Sequence, residues 1–430
     1  MVGKHSQNGT ALQSIDLMKI LLLTQYFPPE TGAPQNRLFE LAVRLQKKGA
    51  GITVLTAMPN YPQMEIHEAY QGKKYLYEEM NGLKVHRASI YVTKSKSIFP
   101  RLLNYFSFVW TSYRTARKIS GDFDYLLCES PPLFLGISAF FLKKRFKAKL
   151  IFNVSDLWPE TAEKLGLVTN RLFLNLATRL EEFLYRNSDL ITGQTQGIVR
   201  NIQTRFPKKK VYWLPNGVDL DIYNVEKKTP LAWRRINGFA ETDFIFLYAG
   251  IIGHSQGLEV ILKAAKRLEA YKDLKFVVLG SGPEKLKLQQ IKEQTGADNV
   301  CFLDGVGKQE MPGIVASIDV ALIPLKRLDL FKGAIPSKIF ENLAMKKPIL
   351  LGVEGEAKDL FIDEGKAGLA FVPEDDADLA EKVLELRANK TKLNQMGEDG
   401  YAYVKRKFTR DTIAGQFWQF LSDDYLLKKK

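Results

Sequence analysis

Residues 19–57 read KILLLTQYFPPETGAPQNRLFELAVRLQKKGAGITVLTA. Two apolar runs of strand length, ILLLTQYF (20–27) and ITVLTA (52–57), flank a turn-rich loop, Pro28 to Pro34, and a helical pattern that starts near Gln35. Strand, helix and strand joined this closely form the repeating unit of a parallel sheet. The unit recurs on either side of LKVHRASI (83–90), FDYLLCES (123–130), KLIFNVSD (149–156) and DLITGQTQ (189–196). The period is lost over residues 214–242, which are rich in turn residues and read as a linker. It then resumes with FIFLYAG (244–250), LKFVVLG (274–280), NVCFLDG (299–305), DVALIPL (319–325), PILLGV (348–353) and GLAFVP (368–373). From Asp375 the pattern is helical to the end.

These signals predict an α/β protein of two Rossmann-like domains facing an interdomain cleft. Residues 1–17 are a polar leader expected to be disordered, 18–213 the first domain, and 243–405 the second. Residues 406–430 form a C-terminal helix that returns to the first domain. Open α/β sheets bind ligands at the carboxyl ends of their strands, which two tandem domains bring to one cleft.

Composition narrows the function. Of 430 residues 45% are hydrophobic, a globular composition, and the two cysteines, Cys128 and Cys301, lie too far apart in sequence for a disulfide framework or a Cys/His zinc site. The longest apolar runs, such as 133–142, are far shorter than the ~20 residues that span a bilayer. Residues 1–217 carry 30 Lys and Arg against 16 Asp and Glu, and residues 218–430 carry 32 of each, so the whole net charge of +14 lies in the first half. Such asymmetry points to an anionic partner. With no RRM, KH or helix-turn-helix pattern, nucleic acid is not the expected one.

Glycines punctuate the strand ends. Gly32 and Ala33 open the first helix, Gly250, Gly253 and His254 follow FIFLYA, and Gly280 and Gly282 follow LKFVVL. Three Gly-rich turns at strand ends suit a nucleotide, although the first alone is an ordinary tight turn. In Lys332-Gly333-Ala334-Ile335-Pro336-Ser337-Lys338-Ile339-Phe340-Glu341, Ser337 is placed to cap a helix whose first turn holds Lys338. A cation there opposes the helix dipole, which points to a bound anion, or else to an intrahelical pair with Glu341. Asp122/Asp124 and Asp219/Asp221 have DxD spacing, but one pair precedes a strand and the other lies in the linker, so no metal site is expected. Asp156, at the end of KLIFNVSD, either faces the cleft or caps the helix after Trp158-Pro159.

Taken in order, residues 18–49, ITVLTAMPNYP, NVSDLWPETA, LPNGVD, YAGIIGHSQGLE, GSGPE and PSKIFENLAMKKPIL resemble retaining glycosyltransferases of family 4, which have the GT-B fold. The likeness is greatest to the branch with N-acetyl-L-fucosamine transferases of bacterial capsule, colanic acid and O-antigen synthesis. It implies a UDP-sugar donor on the second domain, with Gly250, Gly253, His254, Gly280, Gly282, Ser337, Lys338 and Glu341 around it, and no cofactor or metal. Glu341 matches the second glutamate of the family's paired-glutamate motif, where it would bond the ribose. Gly333 stands in place of the first, and Ile251 and Gln256 stand where an Arg and a Lys often cradle the diphosphate. Lys338, helped by Lys326, Arg327 or Lys332, is the substitute. Asp156 would serve the acceptor hydroxyl, with Gly32 and Ala33 on the acceptor side.

The acceptor implied is a glycan on undecaprenyl diphosphate, met at the cytoplasmic face of the bacterial plasma membrane. Arg101, Phe106, Trp110 and Arg114 fall on one amphipathic helix, and Lys143, Lys144 and Arg145 end the next. They are the residues expected to dock on anionic lipid, unless the first is a core helix with a basic edge. A nonhydrolysing UDP-sugar 2-epimerase and a noncatalytic nucleotide-sugar scaffold are the rival readings.

Overall fold

A computed structural model describes residues 18–30, 32–95, 97–227 and 231–429; the leader, 1–17, lies outside the described residues. The first half comprises β1 (Lys19–Leu23), α1 (Ala33–Lys47), β2 (Gly51–Ala57), β3 (Tyr75–Met80), β4 (Leu83–Ala88), α2 (Ile98–Thr115), β5 (Tyr125–Ser130), α3 (Leu135–Arg145), β6 (Lys149–Val154), α4 (Glu160–Lys164), α5 (Arg171–Asn187), β7 (Leu190–Gly193), α6 (Gln196–Arg205) and β8 (Val211–Trp213). Its strands lie in the order β3-β4-β2-β1-β5-β6-β7-β8, and β3 alone runs antiparallel to its neighbour. Strand β1 is central, with Ile20 opposite Ile52 on one side and Tyr125 on the other. Its residues therefore alternate between two cores: Leu21 and Leu23 pack with Phe108, Leu126 and Phe152, and Ile20 and Leu22 with Leu38, Leu41 and Val54. Burial on both faces is why the run reads as continuously apolar.

The second half contains α7 (Leu231–Ile236), β9 (Phe244–Ala249), α8 (Glu259–Arg267), β10 (Leu274–Leu279), α9 (Lys285–Thr295), β11 (Val300–Leu303), α10 (Met311–Ala316), β12 (Val320–Pro324), α11 (Lys338–Ala344), β13 (Ile349–Gly352), α12 (Glu356–Lys358), β14 (Gly368–Ala370), α13 (Asp376–Ala388), α14 (Lys390–Lys407) and α15 (Arg410–Lys429). The order β11-β10-β9-β12-β13-β14, all parallel, is that of a doubly wound nucleotide-binding sheet, reversing between β9 and β12.

The described residues of the stretch 214–242 include several that pack into the second domain. Val218 and Tyr223 are buried in the second domain's core, and Arg234 of α7 is anchored by Asp319 at 2.8 Å and the Ser317 carbonyl at 2.6 Å. The chain crosses between domains twice, and the crossings are hydrogen-bonded together. The Val218 amide donates to the Phe408 carbonyl at 3.0 Å, and the Arg410 amide to the Val218 carbonyl at 2.9 Å. Gly217 is obligatory there, because any Cβ would overlap the Phe408 carbonyl.

Beyond the second crossing, α15 lies on the first domain. Ile413, Ala414, Phe417 and Leu421 join the core formed by Leu38, Leu41 and Tyr125. Asp424 accepts from the Tyr125 hydroxyl at 2.8 Å and pairs with Lys149 at 2.7 Å and Lys210 at 3.1 Å. Phe417→Ala removes a fully buried ring from this joint. It is expected to destabilise the protein by about 3–5 kcal/mol in urea unfolding, and an unchanged midpoint would mean that α15 adds little to the first domain.

Candidate functional site

A cleft of about 720 Å³ separates the domains, lined by the loops after β6 and β7 from one side and after β9 and β12 from the other. Asp156, Lys338, Glu341, Gly250 and Ser337 all line it. Lys338 begins α11 and reaches under the loop after β9. Its ammonium lies 3.8 Å from the centroid of the Tyr248 ring, and the Tyr248 hydroxyl is held by the Ile251 carbonyl at 2.6 Å. A Cβ at Gly250 would stand 3.1 Å from the Lys338 Nζ, so glycine leaves room for the lysine. Burial drives its pKa down to about 7, opposed by the Glu341 carboxylate. Aromatic contact compensates an ammonium only partly for lost water.

Glu341 lies one turn along α11. Burial raises its pKa, while Lys308, the Tyr223 hydroxyl, Arg410 and Lys338 draw it back. Asp156 accepts a hydrogen bond from the Thr161 hydroxyl at 2.6 Å, and burial raises its pKa too. The bond secures the following turn, while α4 itself begins after Pro159 with no side-chain cap. Below it, Arg37 binds Glu129 at 2.6 Å, Ser155 at 2.7 Å and Gln194 at 2.9 Å. This buried network ties the β6 and β7 loops together and carries no sequence signature, since its members come from four separate segments.

Several expectations are corrected. Ser337 does not cap α11: its backbone is already helical (φ −60°, ψ −28°), so no cap bond forms from its side chain. Gly280 and Gly282 do not line the cleft. They serve backbone packing, since a Cβ on either would overlap the Gly250 or Ile252 carbonyl. Gly253 and His254 line a separate small pocket of about 100 Å³, where the His254 Nε2 is 2.7 Å from Lys326. Gly32 precedes α1 and is not among the residues lining the cleft, while Ala33 is the first residue of that helix.

The proposed helpers of Lys338 are engaged elsewhere. Arg327 pairs with Glu354 at 3.7 Å and Lys332 with Asp329 at 2.7 Å. Among the described residues the lining holds one further cation, Lys164, which pairs with Glu160 at 2.6 Å. Gly333 meets α6 directly: a Cβ on Gly197 would stand 3.2 Å from the Gly333 Cα. Ile251, where an arginine was sought, is 64% exposed. One aspartate of each DxD pair has a structural contact: Asp124 accepts from the Lys19 amide, and Asp219 pairs with Arg44 at 2.9 Å.

On the first domain, α2 turns Phe99, Leu103, Phe106 and Trp110 outward, the last 60% exposed. Arg101, Arg114, Lys144 and Arg145 are exposed as well. Lys143 is not available there, being held by Asp189 at 2.9 Å and the Asn187 carbonyl at 2.8 Å. The apolar surface is wider than the sequence suggested. Ring contacts between Tyr113 and Phe141 (6.1 Å) and between Phe140 and Phe183 (4.9 Å) join α2, α3 and α5, and α5 adds the exposed Leu172, Leu176 and Phe183. No described helix is long and apolar enough to cross a membrane.

Comparison with known proteins gives the same picture. Residues 35–222 match the Glycosyltransferase Family 4 model, and residues 231–403 match the model for glycosyl transferases group 1. The chain is 27% identical over 336 residues to the "Putative colanic acid biosynthesis glycosyl transferase WcaI" of Escherichia coli K12, covering 76% of this chain and 81% of that protein. It is 21% identical over 393 residues to the O-antigen chain mannosyltransferase C of Escherichia coli, covering 90% and 93%. Among solved structures, Anabaena HepE in complex with UDP and glucose superposes with a TM-score of 0.69 at 16% identity, over 94% of this chain and 100% of that one. With one family model on each domain and a cleft between two doubly wound sheets, the chain belongs to the family 4 and group 1 glycosyltransferases and has the GT-B fold.

Proposed function

We propose that the protein is a retaining transferase that moves a sugar from a UDP-sugar to a glycan carried on undecaprenyl diphosphate, in the synthesis of a bacterial surface polysaccharide. The observation that carries this reading is the placement on the walls of one cleft of the Lys338 ammonium, seated on the Tyr248 ring of the second domain, and of the Asp156 carboxylate, held by Thr161 in the first. Cleavage between the anomeric carbon and the diphosphate leaves negative charge on the departing oxygen. Lys338 is the cation placed to meet it, and a charge fixed in position beforehand needs no reorganisation as the bond breaks. Glu341 takes the ribose hydroxyls. Asp156 orients the acceptor hydroxyl and removes its proton as the new bond forms on the face the diphosphate leaves. No metal is needed for that charge balance, so transfer is expected to proceed in EDTA.

The relatives named for colanic acid and O-antigen synthesis support a surface-polysaccharide role, and the UDP complex of HepE supports the nucleotide. An N-acetylated amino or deoxyamino sugar suits the cleft wall, where Leu157, Ile251, Leu330, Phe331 and Ile335 offer apolar contact. Transfer to a lipid-linked acceptor requires the enzyme to sit on the inner face of the plasma membrane. The exposed apolar belt of α2, α3 and α5 with its arginines and lysines suits that placement.

Single substitutions separate the roles. Lys338→Ala should lower turnover by the equivalent of ~3–4 kcal/mol, Asp156→Asn should lower turnover more than donor affinity, and Glu341→Gln should chiefly weaken donor binding. A Lys338→Ala enzyme within a few-fold of wild type would defeat the leaving-group role. For the membrane, co-sedimentation should require anionic liposomes and decline with salt, each basic side chain near the surface adding about 1 kcal/mol. The pair Trp110→Ser/Leu176→Ser should reduce it without affecting UDP binding. Equal binding to neutral and anionic vesicles would contradict the charge-assisted docking.

A further inference from the structure

We infer that Glu356 is a positioning residue that sets the spacing of the two sides of the cleft, acting from the second domain on the first. Its carboxylate is 6% exposed and binds the first two amides of α6 across the domain boundary. Oε1 accepts from the Gln196 amide at 2.6 Å and Oε2 from the Gly197 amide at 2.6 Å. A carboxylate at a helix N-terminus is favoured by free N–H groups and by the dipole, and two charge-assisted bonds offset its desolvation. Thr195 caps the same helix through the Ile198 amide at 3.2 Å, and the Arg200 guanidinium lies 3.9 Å from the Glu356 carboxylate.

The local backbone is built for this contact. Gly355 has φ +76°, a left-handed conformation, and a Cβ there would overlap the Lys332 carbonyl. Glycine thus lets α12 start close enough for the next residue to reach α6. Gly197 and Gly333 bring the two backbones together beside it, and both line the cleft. The contact continues inward. Gln194, two residues before α6, binds Arg37 at 2.9 Å, and the same guanidinium binds Ser155 at 2.7 Å, next to Asp156. Glu356 is therefore connected to Asp156 through α6, Gln194, Arg37 and Ser155, while Lys338 belongs to its own domain. Its seat on α6 fixes where Asp156 stands relative to Lys338.

This role rests on Asp156 and Lys338 being the reacting pair, so the test separates the two ideas. Spin labels on exposed sites, at Lys208→Cys in the first domain and Asp359→Cys in the second, in a Cys301→Ser background, give an interdomain distance distribution. UDP affinity by calorimetry and release of UDP from the accepted donor complete the set. Glu356→Ala should broaden and lengthen the distances and reduce turnover at least about tenfold, with UDP affinity within about twofold, since the UDP-facing groups lie wholly in the second domain. Glu356→Gln should recover part of both, because its amide oxygen still accepts from one backbone N–H. An unchanged distance distribution in Glu356→Ala, or turnover falling only as far as UDP affinity and thermal stability fall, overturns the positioning role. Failure of the wild type to bind UDP would defeat the donor assignment, and the distance measurement would still decide the role of Glu356.

Discussion

A half-buried ammonium group at the cleft wall, seated on an aromatic ring with no carboxylate in contact among the described residues, is the constraint around which the cleft is arranged. Lys338 lies against the face of Tyr248, whose hydroxyl is tied to the Ile251 carbonyl, so the end of β9 and the loop after it fix the ring that supports the charge. Glycine at 250 is the companion requirement, because a side chain would compete with the lysine for the same volume. A partly desolvated charge with no carboxylate in contact favours an anion beside it. The Glu341 carboxylate, three residues on, partly offsets the desolvation.

The two domains are assembled so that this charge faces the opposite wall. Hydrogen bonding between the crossings at Val218 and Phe408–Arg410 forms a compact joint, and α15 carries the end of the chain back onto the first domain's core. Glu40 of α1 pairs with both Lys308 at 2.8 Å and Arg410 at 2.8 Å, adding a second bridge near the joint. The contact of Glu356 with α6 borders the cleft itself. Bridges of this kind hold domains through few atoms, which suits an enzyme that must admit and release large substrates.

Much of the fold was readable because parallel strands buried on both faces produce continuous apolar runs, and all six strands of the second sheet correspond to such runs. Strands β3 and β8 escaped for physical reasons. Tyr75–Met80 carries two glutamates on an antiparallel edge, and Val211–Trp213 is three residues long at the opposite edge. That Lys338 and Glu341 line the cleft was legible because a cation in a helix's first turn is locally unfavourable and because Glu341 stands where the family's second glutamate is expected. Glu356, Arg37 and Glu129 were not, because their partners are distant in sequence and no spacing rule connects them. Gly280 and Gly282 have a backbone role that sequence alone does not show, because a glycine required by a neighbouring backbone looks the same in sequence as one required by a ligand. Lys143 was taken for a surface charge because its partners, Asn187 and Asp189, arrive from beyond α5.

The most direct measurement of the central claim is the number of protons exchanged when the protein binds a UDP-sugar. UDP-N-acetylglucosamine suits this, because its diphosphate has no group titrating near neutrality, and calorimetry in buffers of different ionisation enthalpy gives the count. Burial at the cleft wall pushes the pKa of the Lys338 ammonium down to about 7, against the pull of Glu341. The lysine is therefore largely neutral at about pH 8 and charged well below neutrality, and a bound diphosphate raises its pKa. The account predicts uptake approaching about one proton per ligand at about pH 8, almost none from this group at about pH 6, affinity that falls as pH rises above about 7, and loss of the uptake in Lys338→Ala. Binding with no proton uptake at about pH 8, or uptake that persists in Lys338→Ala, would contradict it.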